Sequence, residues 1–209
     1  MIVLDIEASG LFIEKCGIFQ IGAIDLSNPD NVFLEECRID DEDMVTEDAM
    51  KVTGRYEEKL RDKNLQSQAQ LLENFFNWCK KNKVNYIIGQ NPQFDVMFLQ
   101  IKARKYGLEV PYNYKAFDLH SIAQLRYFQI NGKFRIMGNE MLGLADIIDL
   151  VGLEDPRMLL KDGKIIKKGN PHNALEDAKI EAECFSRLVF GKNLISEFEE
   201  FPIPDFLKE

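Results

Sequence analysis

The sequence predicts an α/β fold built on a sheet of mixed direction, and three observations lead there. Three runs rich in β-branched and aromatic residues stand in succession at Ile2 to Ile6, Ile18 to Leu26 and Val32 to Ile39, joined by short connections. From Ser67 onward the apolar spacing becomes helical, interrupted by short strand-like runs at Tyr86-Ile87-Ile88-Gly89 and Ala116-Phe117. Short connections favour antiparallel neighbours, and strands alternating with helices favour parallel ones, so a meander is followed by α/β units. Finally, 45% hydrophobic side chains in 209 residues bury a sizeable core without disulfide or metal staples, and a 29% charged fraction excludes disorder and coiled coil.

The elements follow in order. Ser27-Asn28-Pro29-Asp30 is a turn signal between the second and third strands. Asp40-Asp41-Glu42-Asp43 lacks the glycine of a calcium loop and reads as a solvated acidic loop. Ser67 caps a helix whose Leu71, Leu72, Phe75, Phe76 and Cys79 share one face. Asn91 before Pro92 reads as a cap followed by proline at the first helical position, opening a helix with Phe94, Met97, Phe98 and Ile101 on one side and Gly107 past its end. Further helices are expected from about Asp118 to Ile130, around Met141 to Val151, and from about Ala174 to Val189. These make one domain over residues 1–190. In the tail, 191–209, Pro202 and Pro204 alternate with Phe201, Ile203 and Phe206, which predicts an extended segment packing on the domain or on a protein partner.

Composition limits function. With 26 basic and 35 acidic residues the net charge is −9, which argues against coating nucleic acid through bulk charge but leaves room for a narrow site where cations offset carboxylates. Cys16, Cys37, Cys79 and Cys184 have no C-x-x-C pairing and read as buried free thiols in a reducing compartment. No apolar run reaches the roughly 18 residues of a membrane span, and the apolar start has no basic stretch before it. The expectation is a cytoplasmic protein that makes no membrane contact.

The chemistry lies in the acids. Asp5 and Glu7 stand two apart on an otherwise apolar strand, so they share a face and need compensation of their charge. Asp95 follows a buried strand in the opening turn of the next helix, at the end of the sheet where α/β folds place their sites. In Pro171-His172-Asn173-Ala174-Leu175-Glu176-Asp177, Asn173 and Glu176 read as a capping box. His172 and Asp177 then occupy the two positions that normally meet as a hydrophobic staple. Four carboxylates and one imidazole suit two divalent cations held by hard oxygen ligands, with histidine as a base near neutral pH; such a centre serves in-line phosphoryl displacement. His120 has no acid at helical spacing and reads as structural.

At these residues the sequence resembles the DEDD-type 3′→5′ exonucleases, in the subgroup that carries a histidine. Asp5-Ile6-Glu7-Ala8-Ser9-Gly10-Leu11 is similar to the family's Asp-x-Glu-Thr-Thr-Gly-Leu motif. Gly89-Gln90-Asn91-Pro92-Gln93-Phe94-Asp95 is similar to its Gly-His-Asn…Phe-Asp motif, and His172-Asn173-Ala174-Leu175-Glu176-Asp177-Ala178 matches His-x-Ala-x-x-Asp-Ala fully. The resemblance implies a ribonuclease H-like fold with a central five-stranded mixed sheet, two Mg²⁺ (or Mn²⁺) held by Asp5, Glu7, Asp95 and Asp177, and His172 as general base. It further implies substrate contacts from Ser9, Gly10, Leu11 and Phe12 at the end of the first motif and just beyond it, and from Gln90, Asn91 and Phe94 in the second; Leu11 equally fits core packing. Ala8, Ser9 and Gln90 replace two threonines and a histidine, which touches substrate contacts and not the catalytic set.

Two basic groups, Lys102 to Arg135 and Arg157 to Lys168, either hold backbone phosphates or form solvated faces, and Tyr127, Phe128 and Phe134 either stack bases or pack in the core. The expected activity is release of nucleoside 5′-monophosphates from a single-stranded or frayed DNA or RNA 3′ end. Two alternatives stand beside it: a proofreading-type subunit of a polymerase assembly, and a catalytically silent nucleic-acid-binding module.

Overall fold

Alternation along the first strand, β1 (Ile2–Ala8), divides the protein into two cores. Ile2, Leu4 and Ile6 face one, while Val3 faces the other on the same side as Asp5 and Glu7. The structure, a computed structural model, describes residues 1–136, 141–161 and 163–208. β1 pairs antiparallel with β2 (Ile18–Asp25), which pairs antiparallel with β3 (Asn28–Glu36). On its other side β1 pairs parallel with β4 (Ile87–Gly89), and β4 pairs parallel with β5 (Ala116–Asp118). The order β3-β2-β1-β4-β5 is the expected five-stranded mixed sheet.

Helices α3 (Gln68–Lys81) and α4 (Gln93–Tyr106) cover the first core, with Phe75 at its centre among Phe33, Phe76, Trp78 and Tyr112. Helices α5 (Leu119–Asn131), α6 (Leu144–Leu150) and α7 (Ala174–Phe190) cover the second, and α7 packs across β1 and β2. The predicted caps at Ser67 and Asn173 are present, Ser67 accepting the Gln70 amide and Asn173 the amides of Leu175 and Glu176, but the capping box is half made, because the Glu176 carboxylate pairs with Lys179. All four cysteines are buried free thiols, and His120 binds the Leu142 carbonyl oxygen through Nδ1 at 2.7 Å.

Several expectations are corrected. The turn before β3 is the two-residue Leu26-Ser27, and Pro29 lies within β3, tolerated because β3 is the sheet edge. Two short helices, α1 (Glu47–Thr53) and α2 (Glu57–Leu60), fill a stretch for which no helix was expected. The acidic loop is not simply solvated: Asp43 is buried and accepts from Lys102 Nζ at 2.7 Å, from Gln68 Nε2 and from the Asp40 amide. Asn91 does not cap α4; its φ of +54° is left-handed, and Pro92 is the residue before the first turn. The basic stretch before His172 folds into a hairpin of β6 (Leu159–Lys161) and β7 (Lys164–Lys167).

The tail is not simply extended, since it forms short 3-10 turns at Ser196–Phe198 and Asp205–Leu207, and Leu207 enters the second core. The fully buried Arg187 pairs with Glu183 at 2.8 Å and donates to the carbonyls of Phe198 and Phe201. Glu183 in turn accepts the amides of Leu194 and Ile195, so α7 grips the tail from both sides of the charge pair. Among the described residues no helix is long and apolar enough to cross a membrane.

Candidate active site

The site forms where β1, α4 and the start of α7 converge. Register sets it: Asp5 stands opposite Gly22 and Glu7 opposite Gln20 across the β1–β2 pair. Gly22 is where α7 touches the sheet, because a Cβ there would fall on the backbone of Ala174 and Leu175, well inside van der Waals contact. Gln20 completes the seat: its Oε1 accepts the Ala174 amide at 2.8 Å, and its Nε2 donates to Glu36. The first turn of α7 is thereby pressed against the two acids of β1, and Asp177 arrives beside them.

Glu7, His172 and Asp177 offer ligand atoms that all lie within 4.8 Å of one another. Asp95, in the first turn of α4, is buried and held by its own amide and that of Ile6, between the two acids of β1. Glu7 and Asp177 are buried with it, and Asp5 is half-buried. Burial pushes the Glu7 carboxyl up to about 8, with the Asp177 charge adding to it and His172 opposing it. Burial also raises Asp95 to about 7. Asp5 is pushed well above the carboxylate range by burial, then by Glu7, Asp177 and Asp95. Asp5, Glu7 and Asp95, raised by burial and, for the first two, by the charges of neighbouring carboxylates, form with Asp177 a centre built to receive positive charge.

His172 is engaged at both ring nitrogens. Nδ1 lies 3.1 Å from Asp177 Oδ2, and Nε2 lies 2.9 Å from the Met158 carbonyl oxygen, just before β6. A carbonyl and a carboxylate both accept, so the ring in this arrangement carries both protons. Burial opposes that charge, but Asp177 and the Met158 carbonyl outweigh it and the pKa lies above the ordinary histidine range.

A cavity of about 470 Å³ opens beside Glu7. Gly10, Leu11, Phe12 and Phe94 line it, facing Val52 of α1 and Leu160 of β6. Leu11 is 80% exposed, which a core residue would not be. The other expected substrate contacts are not brought to it. Ser9 is fully buried, with its hydroxyl donating to the Met44 carbonyl and accepting the Gly17 amide, so it supports the loop. Gln90 and Asn91 lie outside the cavity, and the Asn91 amide donates to Asp118.

The basic groups are largely committed elsewhere. Lys102 is paired with Asp43, Lys105 with Asp40 and Glu42, and Arg126 donates to the Phe206 carbonyl. Arg157 is buried in a two-toothed pair with Asp155, its Nε also 3.8 Å from Asp177 Oδ1. Phe128 and Phe134 stack on each other, centroids 4.8 Å apart, and Tyr127 packs on the second core. Sequence reasoning missed Gln20, Gly22 and Glu181, and it read Arg157 as a phosphate contact or solvated residue where the structure buries it in a pair with Asp155. Gln20 and Gly22 read as ordinary strand residues, and their signal is spatial. Glu181 had one, a carboxylate four residues after Asp177 on the same helix face.

Comparison with known proteins identifies the family and the fold. The profile of the RNase_T exonuclease family matches residues 2–185. A PolC-type DNA polymerase III of Caldanaerobacter subterraneus subsp. tengcongensis is 25% identical over 188 residues, covering 90% of this chain and 11% of the polymerase. The structure of E. coli exonuclease I in complex with a dA16 oligonucleotide is similar with a TM-score of 0.64 and 16% identity, over 91% of this chain and 40% of that one. The nuclease domain of 3′hExo, a DEDDh family member bound to rAMP, has a TM-score of 0.61 and 15% identity, over 98% of this chain and 95% of that one. At these identities the two structures share the ribonuclease H-like fold. This chain thus spans a small fraction of the polymerase and under half of exonuclease I. The family profile runs from β1 into α7, and the chain belongs to the RNase_T exonuclease family.

Proposed function

We propose that this protein is a metal-dependent 3′→5′ exonuclease that removes nucleoside 5′-monophosphates from the 3′ end of single-stranded or frayed DNA or RNA. The observation that supports this best is the convergence of Asp5, Glu7, Asp95, Asp177 and His172 at the end of β1, beside a cavity walled by Leu11, Phe12 and Phe94. The residues fit two Mg²⁺ or Mn²⁺ ions: the donors are hard oxygens, and Glu7 Oε1 is buried without a hydrogen-bond partner among the described residues. Bound there, such ions would activate the attacking water and stabilise charge on the attacking and leaving oxygens.

The chain's own side chains do the remaining work. Asp5, Glu7, Asp95 and Asp177 hold the ions. His172, on giving up the Met158 carbonyl and releasing its Nε2 proton to solvent, accepts the proton of the attacking water at the deprotonated Nε2 while its Nδ1–H stays oriented by Asp177. Leu11 and Phe12 pack against the terminal base, and Phe94 closes the inner wall. With its net charge of −9 and so many basic side chains already paired, the protein grips few phosphates and recognises an end. Four buried free thiols suit the reducing cytoplasm. The resemblance to a PolC-type polymerase supports a second reading, in which the same activity serves proofreading within a polymerase assembly.

Chromatography of the products tests the chemistry. A DNA and an RNA oligonucleotide of matched sequence are each incubated with Mg²⁺, then with excess chelator. Nucleoside 5′-monophosphates are expected in the first case and intact oligonucleotide in the second. Nucleoside 3′-monophosphates, or full activity in chelator, would contradict the proposal.

A further inference from the structure

Close to the four acids of the site lies a fifth. Glu181 is 2% exposed, one helical turn beyond Asp177 on α7, and its electrostatic neighbours are Asp95, Asp177 and Asp5. Its Oε2 accepts the Gln90 amide at 3.1 Å, in the link between β4 and α4 that carries Asp95. This link is tightly fitted, since a Cβ on Gly89 would lie 3.1 Å from the Leu4 carbonyl oxygen and 3.3 Å from Pro92. The nearby cation, Arg157, is already committed to Asp155. Burying another carboxyl group beside four others, with one amide as partner, costs stability in the metal-free protein. A residue kept at such a cost belongs to function more than to folding.

We propose that Glu181 is a positioning residue whose carboxylate strengthens divalent-metal binding by Asp5, Asp95 and Asp177 from outside the ligand set. This inference rests on the proposed metal-dependent nuclease reading. The carboxylate adds negative charge beside Asp95 and Asp177, and its bond to the Gln90 amide fixes the link from which α4 presents Asp95. Supporting groups of this kind typically contribute about 10–100-fold in metal affinity or activity.

The test is calorimetric titration of the full-length protein with Mn²⁺, beside thermal unfolding of the metal-free form. Glu181→Gln preserves size and an acceptor for the Gln90 amide while removing the charge. It is expected to weaken Mn²⁺ binding roughly 10-fold, with a metal-free Tm equal to or above that of the parent. Glu181→Leu, which also removes the acceptor, is expected to weaken binding further, and it serves if the glutamine variant does not fold. Parental Mn²⁺ affinity in the variant that folds, or a metal-free Tm well below the parent, would overturn the proposal and make Glu181 an ordinary structural residue. Titration of the parent separates the two readings: a parent that binds Mn²⁺ beside a variant of equal affinity defeats the role of Glu181 alone. A parent that takes up no Mn²⁺ defeats both.

Discussion

His172 Nδ1 lies 3.1 Å from Asp177 Oδ2, five residues along the chain and across the first turn of α7. The pair replaces the apolar staple that usually fixes a helix entrance, so the device that begins the helix also orients the base. On the far side of the ring the Met158 carbonyl holds Nε2. Catalysis by this imidazole requires that second contact to open.

Replacing the base isolates its role. His172→Ala is expected to lower kcat by about 10²–10⁴, the usual range for a positioned acid or base. The oxygen ligands remain, so Mn²⁺ affinity should change much less than in Asp5→Ala. Parental activity should rise with pH as the imidazole loses its proton, and the variant should lack that limb. Pre-steady-state rates across pH, beside calorimetry, check both; near-parental turnover in His172→Ala would make the histidine structural.

The raised acids fix the pH dependence of the metal-free protein. Burial raises Glu7 to about 8 and Asp95 to about 7, above the roughly 4 of unfolded carboxyl groups. The folded state therefore binds more protons than the unfolded one, and stability falls as pH rises through these values. The raised His172 acts in the same direction, since its contribution is also lost as pH rises through its folded pKa. Carboxylates lowered in the fold, such as Asp40 and Asp155, lose their contribution only in more acidic solution. Metal-free Tm should thus fall from about pH 5 to 8, and saturating Mn²⁺ should remove much of the slope. A metal-free Tm that rises over that interval would contradict the burial of the acids.

Gly22 is a packing requirement with a functional consequence. Gly22→Ala places a methyl group on the backbone of α7, and overpacking of this kind costs about 1–3 kcal/mol. Because the displaced turn carries Asp177, activity should fall by more than the loss of folded protein explains. Urea unfolding with kcat per folded molecule measures both; a variant with parental stability would show that α7 is seated elsewhere.

The grip on the tail depends on a buried charge pair. Arg187→Ala leaves Glu183 buried without its partner, which typically costs about 3–5 kcal/mol. Thermal unfolding should show a large drop in Tm. A small one would mean that the tail contributes little to the second core.

Much of this was legible in the sequence because strand and helix periods are local. Asp5 and Glu7 two apart, the opening turn that carries Asp95, and the entrance at His172 and Asp177 each place a side chain without knowledge of the rest. What could not be read depends on contacts distant along the chain. Gln20 meets Ala174 only after the sheet forms, and Lys102 is neutralised by an aspartate in a loop that reads as solvated. Asn91 looks like a cap, but the turn places it in a left-handed conformation and leaves the entry of α4 to Pro92. Lysines between Arg157 and Lys168 suggest a solvated segment; the hairpin they form brings Leu160 to the cavity wall.

Degradation of a single-stranded oligonucleotide labelled at its 5′ end, sampled over time in Mg²⁺, tests the central claim most directly. The account predicts a ladder shortening one nucleotide at a time from the 3′ end, and its loss in Asp177→Asn. Release of the 5′-labelled nucleotide as the first product, or an undiminished ladder from Asp177→Asn, would contradict it.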